Sequence, residues 1–119
     1  MIITIDFDGC IVEHKFPEIG KPIPYAIEAI KVIKAAGHQI ILWTCREDVP
    51  QRNVLTEAIK YCKQNGIEFD AINDNIKPYE DHLYTNCRKV YANLYIDDKN
   101  RIDKKIDWVE ILRELNLNI

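Results

Sequence analysis

The sequence predicts a single α/β domain of doubly wound, Rossmann-like architecture, a three-layer sandwich built around a mainly parallel sheet. Short, almost wholly apolar segments alternate with amphipathic segments, which is typical of parallel strands covered on both faces. Polar residues follow these apolar segments directly, where ligands bind in such folds. The chain has 119 residues without a repeat or linker, so we expect one domain over residues 1–119.

The predicted elements follow one another as strand, helix, strand, helix, strand, loop, strand and helix. The strands are the apolar segments 2–5, 39–43, 69–72 and 90–96. The helices are predicted over 24–36, from Pro50 to a stop at Gly66, and over 106–115. Pro24 and Pro50 favour a first helical turn, and Gly37 and Gly66 favour the position after a last turn.

Two stretches outside these elements have predicted structures of their own. Residues 9–24 lie between the first strand and the first helix and have room only for a small hairpin flap, so we expect no cap domain. Residues 73–88 are polar and are predicted to be irregular, with one helical turn around 80–84.

Charge and cysteine usage limit the functional classes. The formal net charge is −3 and the basic residues are scattered, so nothing indicates nucleic-acid or membrane binding. No segment approaches the roughly 20 apolar residues of a membrane span. The four cysteines show no CxxC spacing, which favours reduced thiols in a cytoplasmic protein.

Two pairs of acidic residues follow predicted strands. Asp6 and Asp8 come after the first strand, Asp97 and Asp98 after the fourth, and Thr44 after the second. Residues i and i+2 leaving a strand point the same way, so the first pair can share one site. Carboxylates about 4 Å apart repel by roughly 4 kcal/mol at an effective dielectric near 20. A cation should compensate, and an open site of hard oxygen ligands suits Mg²⁺.

Three segments resemble motifs of the haloacid dehalogenase (HAD) superfamily in the same chain order. Residues 2–12, containing Asp-Phe-Asp-Gly, resemble its first motif, residues 40–44 its second, and residues 94–98 its fourth. Each motif alone is a weak signal, but the three together, spread over about residues 1–100, are specific. The Asp at position 8 is similar to the phosphatase and phosphotransferase members of that superfamily.

The resemblance implies a role for each residue. Asp6 would be the nucleophile that forms an aspartyl-phosphate, and Asp8 the general acid/base, with its backbone carbonyl on Mg²⁺. Thr44 would hold the phosphate. Asp97 and Asp98 would complete the metal site directly or through water, and which of them binds directly stays open.

Two positions depart from the family pattern or leave it ambiguous. Cys10 stands where the family usually has Thr or Val, a change expected to affect packing more than chemistry. The phosphate-binding cation is predicted to be Lys89, just before the fourth strand, with Arg88 and Lys77 as alternatives. His14 is expected to be an exposed flap residue.

The predicted function is that of a Mg²⁺-dependent phosphohydrolase, a phosphomonoester phosphatase. The substrate would be a phosphorylated small molecule or macromolecule, and a homo-oligomer stays open. One alternative is a receiver-like phosphoacceptor domain, although receivers place an acid pair after the first strand and a lone acceptor after the third. The other is a non-catalytic module that binds Mg²⁺ or phosphate.

Overall fold

The computed structural model describes residues 1–77, 86–100, 102–103 and 105–119. Its sheet has the strand order β3-β2-β1-β4, and every pairing is parallel. The strands are β1 (Ile2–Ile5), β2 (Gln39–Leu42), β3 (Ala71–Ile72) and β4 (Leu94–Ile96). Ile5 lies in register with Leu42 on one side and Ile96 on the other. The predicted α/β, Rossmann-like fold is therefore confirmed.

Three helices build the main core against one face of the sheet. They are α1 (Ala26–Ala35), α2 (Val54–Gln64) and α3 (Trp108–Glu114). Ile30, Ala58 and Trp108, one from each helix, are buried in one cluster with Ile5 of β1. A second cluster joins Ile2 and Ile41 to Ile76 and Val90 from the β3–β4 connection. Both clusters are apolar, so the strands are covered by hydrophobic contacts on each side.

The third and fourth strands begin later than predicted because side chains take over pairing at their starts. The fourth strand begins at Leu94 instead of residue 90, since the Asn93 side chain accepts from the Ile2 N–H at 2.7 Å. Val90 is fully buried in the second cluster instead of extending the strand. The third strand begins at Ala71, because the Asp70 carboxylate accepts from the Ile40 N–H at 2.8 Å.

Two helices begin later than their prolines predicted. Helix α1 begins at Ala26, after Tyr25, which has a positive φ of 64°. Helix α2 begins at Val54, because Val49 and Arg52 exchange backbone hydrogen bonds across a turn at Pro50. The predicted start at Pro50 is therefore a turn ahead of the helix. Helix α3 begins after Asp107, whose carboxylate accepts from the Glu110 N–H as an N-cap.

The predicted flap is present between β1 and α1. Glu13 donates its N–H to the Lys21 carbonyl at 2.8 Å, and Ile23 donates to Ile11 at 2.9 Å. These bonds close a short antiparallel hairpin. The helical turn predicted over 80–84 lies outside the described residues.

Two expectations about the whole chain can be compared with the structure. All four cysteines are free thiols, as predicted. Among the described residues, the structure contains no helix of the length and apolarity needed to cross a membrane.

Candidate functional site

The first acid pair stands directly beyond β1, at the centre of the sheet. Asp6 donates its N–H to the carbonyl of Ile96, the last residue of β4, at 3.0 Å. Its side chain accepts from the Phe7 N–H at 2.8 Å. Phe7 is fully buried, whereas Asp6 and Asp8 are half-buried. The strand end therefore sends Phe7 into the core and both carboxylates to the same side, as the i, i+2 spacing predicts.

The carboxyl ends of β1, β2 and β4 surround one cavity of about 260 Å³. Four of the predicted site residues line it: Asp6, Asp8, Thr44 and Asp97. The cavity is also lined by His14, Trp43, Cys45 and Lys99. Parallel strands place their carboxyl ends at one edge, which brings residues from distant parts of the chain together.

Asp98 lies beneath this cavity and is 1% exposed. Its Oδ2 accepts a hydrogen bond from His14 Nε2 at 2.9 Å. Its Oδ1 is buried and has no hydrogen-bond partner in the part of the chain that the structure describes. One ligand atom from each of Asp6, Cys10 and Asp98 lies within 4.8 Å of the other two. Asp98 thus contributes a buried, incompletely paired carboxylate to a cluster that can hold a cation.

Gly9 allows the flap to approach the second acid pair this closely. Its φ of 87° lies in the region that favours glycine. A Cβ at this position would overlap both the His14 ring and the Asp98 carboxylate. The glycine of the Asp-Phe-Asp-Gly motif is therefore required by the contact between His14 and Asp98.

The pKa values of Asp6 and Asp98, the two carboxylates of the cluster, are shifted in opposite directions. Burial raises the pKa of Asp6 to about 7, and the charges of Asp97, Asp98 and Asp8 add to this effect. Burial also raises the pKa of Asp98, but the hydrogen bond from His14 and the nearby Lys99 ammonium outweigh it, so that pKa lies below its usual range. Asp98 is therefore an anion near neutral pH, and a cation in the cluster would favour ionisation of Asp6.

Arg46 holds Asp8 from both sides of its carboxylate. Its Nε donates to Asp8 Oδ2 at 2.8 Å, and its Nη2 donates to Oδ1 at 2.9 Å. The guanidinium also donates to the flap carbonyls of Pro17 and Glu18, at 3.4 and 2.8 Å, and to the Val54 carbonyl at 3.1 Å. Arg46 is 1% exposed. Such a two-point pair fixes the plane of the carboxylate as well as its position.

Two aromatic rings enclose the same guanidinium. It lies 4.9 Å from the ring centroid of Phe7 and 5.2 Å from that of Phe16. Phe7 belongs to the acid motif and Phe16 to the flap. Arg46 therefore connects the core, the flap and Asp8.

Thr44 lies at the end of β2 within a local hydrogen-bond network. Its N–H donates to Asn73 Oδ1 at 2.8 Å, and its Oγ1 accepts from the Arg46 N–H at 3.1 Å. The backbone N–H groups of Thr44 and Arg46 are thus both used in hydrogen bonds within the protein. The Thr44 hydroxyl hydrogen is what this residue can donate to a phosphate oxygen.

The predicted phosphate-binding cation is placed away from the cavity lining. Lys89 Nζ lies 5.7 Å from the Tyr95 ring centroid, and Lys89 is not among the described residues that line the cavity. Of its alternatives, Arg88 donates to Asp74 at 3.1 Å, and Lys77 is exposed. The ammonium-bearing residue in the lining is Lys99. The role of Lys89 stays a prediction, and Lys99 becomes a further candidate.

Three site residues were missed or misjudged from the sequence. His14 is exposed in the flap, as predicted, but its contact with Asp98 was missed. Arg46 and Lys99 were not considered, yet each stands within two residues of a predicted site residue at a strand end. The signal available in the sequence was a basic residue within two positions of a predicted site residue at the same edge of the sheet.

A larger cavity, about 650 Å³, lies between Tyr25 and the C-terminal residues 109–119. Val109 and Leu112 of α3 contribute to its lining, which contains none of the acid pairs. Choosing the functional site by cavity size would therefore miss the acid pairs and Thr44.

Comparison with known proteins agrees with the fold. No family model and no curated protein matches the chain. A solved structure, that of a conserved protein coded by a locus of Bacteroides thetaiotaomicron, is 38% identical, with a TM-score of 0.80. The match covers 99% of this chain and 93% of that one. This chain belongs to the same family as that conserved protein.

Membership in this family extends over the whole domain, since both chains are covered almost completely. The flap, the sheet and α3 are thus parts of one shared fold. What the site does must be inferred from its own residues.

Proposed function

We propose that this protein is a Mg²⁺-dependent phosphomonoester phosphatase of the HAD superfamily, acting through an aspartyl-phosphate on Asp6. The observation that carries the proposal is the convergence of both acid pairs and Thr44 at one sheet edge. Asp6, Asp8, Thr44 and Asp97 line one cavity, and Asp98 lies buried beneath it. The proposed nucleophile, the proposed proton carrier, the hydroxyl that would donate a hydrogen bond to phosphate and the proposed metal ligands are thus close to one another.

The residues present fit Mg²⁺. The unpartnered, buried Oδ1 of Asp98 needs a positive partner, because an unsatisfied buried acceptor costs about 1–3 kcal/mol and a charged one more. Asp6 and one of Asp97 and Asp98 would hold the ion, together with the Asp8 carbonyl. When bound, Mg²⁺ would neutralise phosphate oxygens and the acid cluster.

In the first half-reaction, an Asp6 oxygen attacks phosphorus as the ester P–O bond breaks. The leaving oxygen takes its proton from Asp8, and an acyl phosphate remains on Asp6. The Thr44 hydroxyl donates to a phosphate oxygen, and Lys89 or Lys99 supplies an ammonium. The raised pKa of Asp6, about 7, means that a cation must be present for the carboxylate to be fully ionised at neutral pH.

In the second half-reaction, water attacks the phosphorus of the aspartyl-phosphate. Asp8 accepts the proton of that water, the acyl P–O bond breaks, and Asp6 is regenerated with release of inorganic phosphate. Arg46 holds Asp8 in place through both oxygens. Each carboxylate oxygen keeps a second lone pair that can carry the proton.

The grip of Arg46 on Asp8 also favours a second candidate, a phosphate-binding module that forms the aspartyl-phosphate without rapid turnover. A guanidinium bound to both oxygens at 2.8 and 2.9 Å hinders a carboxyl group that must exchange protons. Burst kinetics separate the two candidates. A phosphatase releases phosphate continuously, whereas the module releases about one equivalent of alcohol and then stops.

The open cavity leaves the substrate as either a phosphorylated small molecule or a phosphorylated macromolecule. A panel of phosphorylated metabolites and phosphopeptides, assayed with Mg²⁺ for phosphate release, tests the proposal. We expect release from a generic aryl phosphate to stop after chelation with EDTA and to return with Mg²⁺. Unchanged activity after rigorous chelation would refute the metal site.

The matched control is Glu28→Gln. Glu28 is an exposed acid in the first turn of α1, so its loss should leave phosphate release unchanged. Asp6→Asn should abolish release under the same conditions. Equal activity in the two variants would show that the acid cluster is not the reaction centre.

A further inference from the structure

We propose that Cys10, Asp6 and Asp98 form a binding site for a thiophilic divalent cation such as Zn²⁺, which competes with Mg²⁺ for the same two carboxylates. The site stands on its own geometry. Its consequence, inhibition of phosphate transfer by soft metal ions, rests on the proposed function.

The spacing of the donor atoms fits such an ion. Cys10 Sγ and one oxygen each from Asp6 and Asp98 lie within 4.8 Å of one another. Zinc–sulfur bonds of about 2.3 Å and zinc–oxygen bonds of about 2.1 Å put tetrahedral ligands about 3.6 Å apart. Rotations of the two carboxylates would close that difference around a fixed Cys10 sulfur. Asp6 also lines the cavity, from which water can enter as a fourth ligand.

A second observation is the buried and incompletely paired carboxylate of Asp98. Asp98 is 1% exposed, and its Oδ1 has no hydrogen-bond partner among the described residues. His14 satisfies only Oδ2. Because an unpaired buried carboxylate oxygen is costly, Asp98 is expected to bind whichever divalent cation reaches it.

Cys10 is held in place before any ion arrives. Trp108 of α3 donates its indole N–H to the Cys10 carbonyl at 2.7 Å. The Cys10 N–H donates to the Phe7 carbonyl at 3.2 Å, and its thiol lies 3.7 Å from the Ile96 carbonyl. The side chain is fully buried. Little conformational entropy is therefore lost when the sulfur becomes a ligand.

Binding exchanges a proton for the metal without any redox change. The S–H bond of Cys10 breaks, a metal–sulfur bond forms, and the proton passes to solvent. Thiolates select zinc-like ions, whereas Mg²⁺ prefers oxygen. A hydroxyl at position 10 would remove this preference and keep the two carboxylates.

The experiment uses Cd²⁺ as the probe, because cadmium thiolates have an ultraviolet charge-transfer band that Mg²⁺ cannot produce. The exposed cysteines Cys45 and Cys87 are first replaced by serine, since Cys45 also lines the cavity. Metal-free protein with Cys10 intact is titrated with Cd²⁺ and compared with a matched Cys10→Thr variant. Asp98→Asn in the same background tests the carboxylate.

We expect one equivalent of Cd²⁺ to produce the band when Cys10 is present, and Cys10→Thr to abolish it. Asp98→Asn should weaken Cd²⁺ binding by at least the roughly 10–100-fold typical of lost supporting groups. Added Mg²⁺ should raise the apparent Cd²⁺ dissociation constant of the Cys10 protein.

Three results would overturn the proposal. They are the absence of a band with Cys10 intact, an equal band after Cys10→Thr, and a Cd²⁺ affinity insensitive to both Mg²⁺ and Asp98→Asn. The Mg²⁺ competition needs no substitution at Cys10, so it decides the matter even if Cys10→Thr fails to fold. None of these readouts requires enzymatic activity, so a failure of the proposed phosphatase function would be seen separately.

Discussion

At the residue level, Asp6 and Asp8 have the same side chain but different surroundings. Asp6 is close to the charges of Asp97 and Asp98, which help to raise its pKa to about 7. Asp8 instead is paired with the guanidinium of Arg46 at both oxygens. The acid that faces other acids is suited to share a cation and attack phosphorus. The guanidinium orients Asp8 for proton transfer but also opposes protonation of its carboxylate.

Substitution of each acid should have a different effect. Asp6→Asn should remove both turnover and covalent phosphorylation, because the amide lacks the attacking oxygen. Asp8→Asn should slow turnover by about 10²–10⁴, as for a lost general acid/base, and still accumulate some phosphoaspartate. Rapid-quench labelling with a ³²P-labelled substrate measures both. Persistent labelling of Asp6→Asn would show that another residue is the nucleophile.

The pKa of Asp6 also predicts how metal-free stability varies with pH. Its pKa rises from 3.8 to about 7 on folding, so between those values the folded state binds more protons than the unfolded state. Stability from this group is therefore present at low pH and is lost as the pH rises through about 7. Urea unfolding from about pH 5 to about pH 8 in EDTA should show this decline.

The matched comparison for this prediction is Asp6→Asn, which removes the titrating group. Its unfolding free energy should fall less over the same pH range, because other carboxylates contribute equally to both proteins. Parallel pH profiles would mean that Asp6 does not titrate abnormally. Saturating Mg²⁺ should also flatten the profile of the unmodified protein.

At the level of elements, Arg46 joins the end of β2 to the flap and to α2. It donates to Glu18 in the flap and to Val54 at the start of α2. The flap is thereby attached to the same guanidinium that orients Asp8. A substitution in the flap should therefore alter the orientation of Asp8 through Arg46.

Arg46→Lys should lower turnover because an ammonium cannot reproduce the two-point pair. The loss should be larger for an alkyl phosphate than for 4-nitrophenyl phosphate, since a poor leaving group depends more on a correctly placed proton donor. Steady-state kinetics on the two substrates measure this difference. Arg46→Met should also destabilise the fold by about 3–5 kcal/mol, the cost of an uncompensated buried charge.

Arg52→Lys is the matched control. Arg52 also binds carboxylates in a forked pair, with Glu57 at 2.8 Å and Glu18 of the flap at 2.6 Å. Arg52 does not contact Asp8, so the loss of turnover in Arg52→Lys should not depend on the leaving group. An equal leaving-group effect in both variants would show that Arg46 acts only on the flap.

The elements on either side of β4 supply the candidate phosphate cations. Lys89 lies before the strand, over the Tyr95 ring, and Lys99 lies after it in the cavity lining. We expect Lys99→Ala to reduce kcat/KM by tenfold or more, towards the roughly 10²–10³ of a lost electrostatic contact. Steady-state assays of the Lys99→Ala, Lys89→Ala, Lys77→Ala and Arg88→Ala variants rank the four positions. A greater loss in Lys89→Ala would return the role to the predicted residue.

At the scale of the whole molecule, β1 lies between β2 and β4, so three strand ends meet at one edge. A cation held there bridges chain segments almost a hundred residues apart. Binding to the folded state alone stabilises it by about 2.7 kcal/mol at a ligand concentration of 100 Kd. Mg²⁺ should therefore raise the Tm by several degrees, which thermal unfolding with and without Mg²⁺ measures.

Asp98→Asn should reduce this Mg²⁺-dependent rise in Tm, and Glu28→Gln should not. A rise of equal size in all three proteins would indicate nonspecific ion binding. Because the hydrogen bond from His14 and the Lys99 ammonium hold the pKa of Asp98 below its usual range, Asp98→Asn is also expected to lower the metal-free stability near neutral pH.

The sequence by itself determined the fold class, the order of the described strands and helices, and the edge of the sheet at which polar residues gather. Local signals were sufficient for these features, because apolar periodicity and strand-end acids such as Asp6 and Asp97 depend only on neighbours in the chain. The same local signals misplaced ends of elements. Pro50 predicted a helix start, but backbone pairing of Val49 with Arg52 delays α2 to Val54.

Only the tertiary structure decided which polar groups contact one another. The pairs Arg46–Asp8 and His14–Asp98 join residues 38 and 84 positions apart, and such partners have no local pattern. Burial decided the rest, since the desolvation that raises the pKa of Asp6 and the unpartnered oxygen of Asp98 exist only once the strands assemble. The sequence shows which residues have side chains capable of chemistry. Their ionisation states and hydrogen-bond partners depend on how the chain packs.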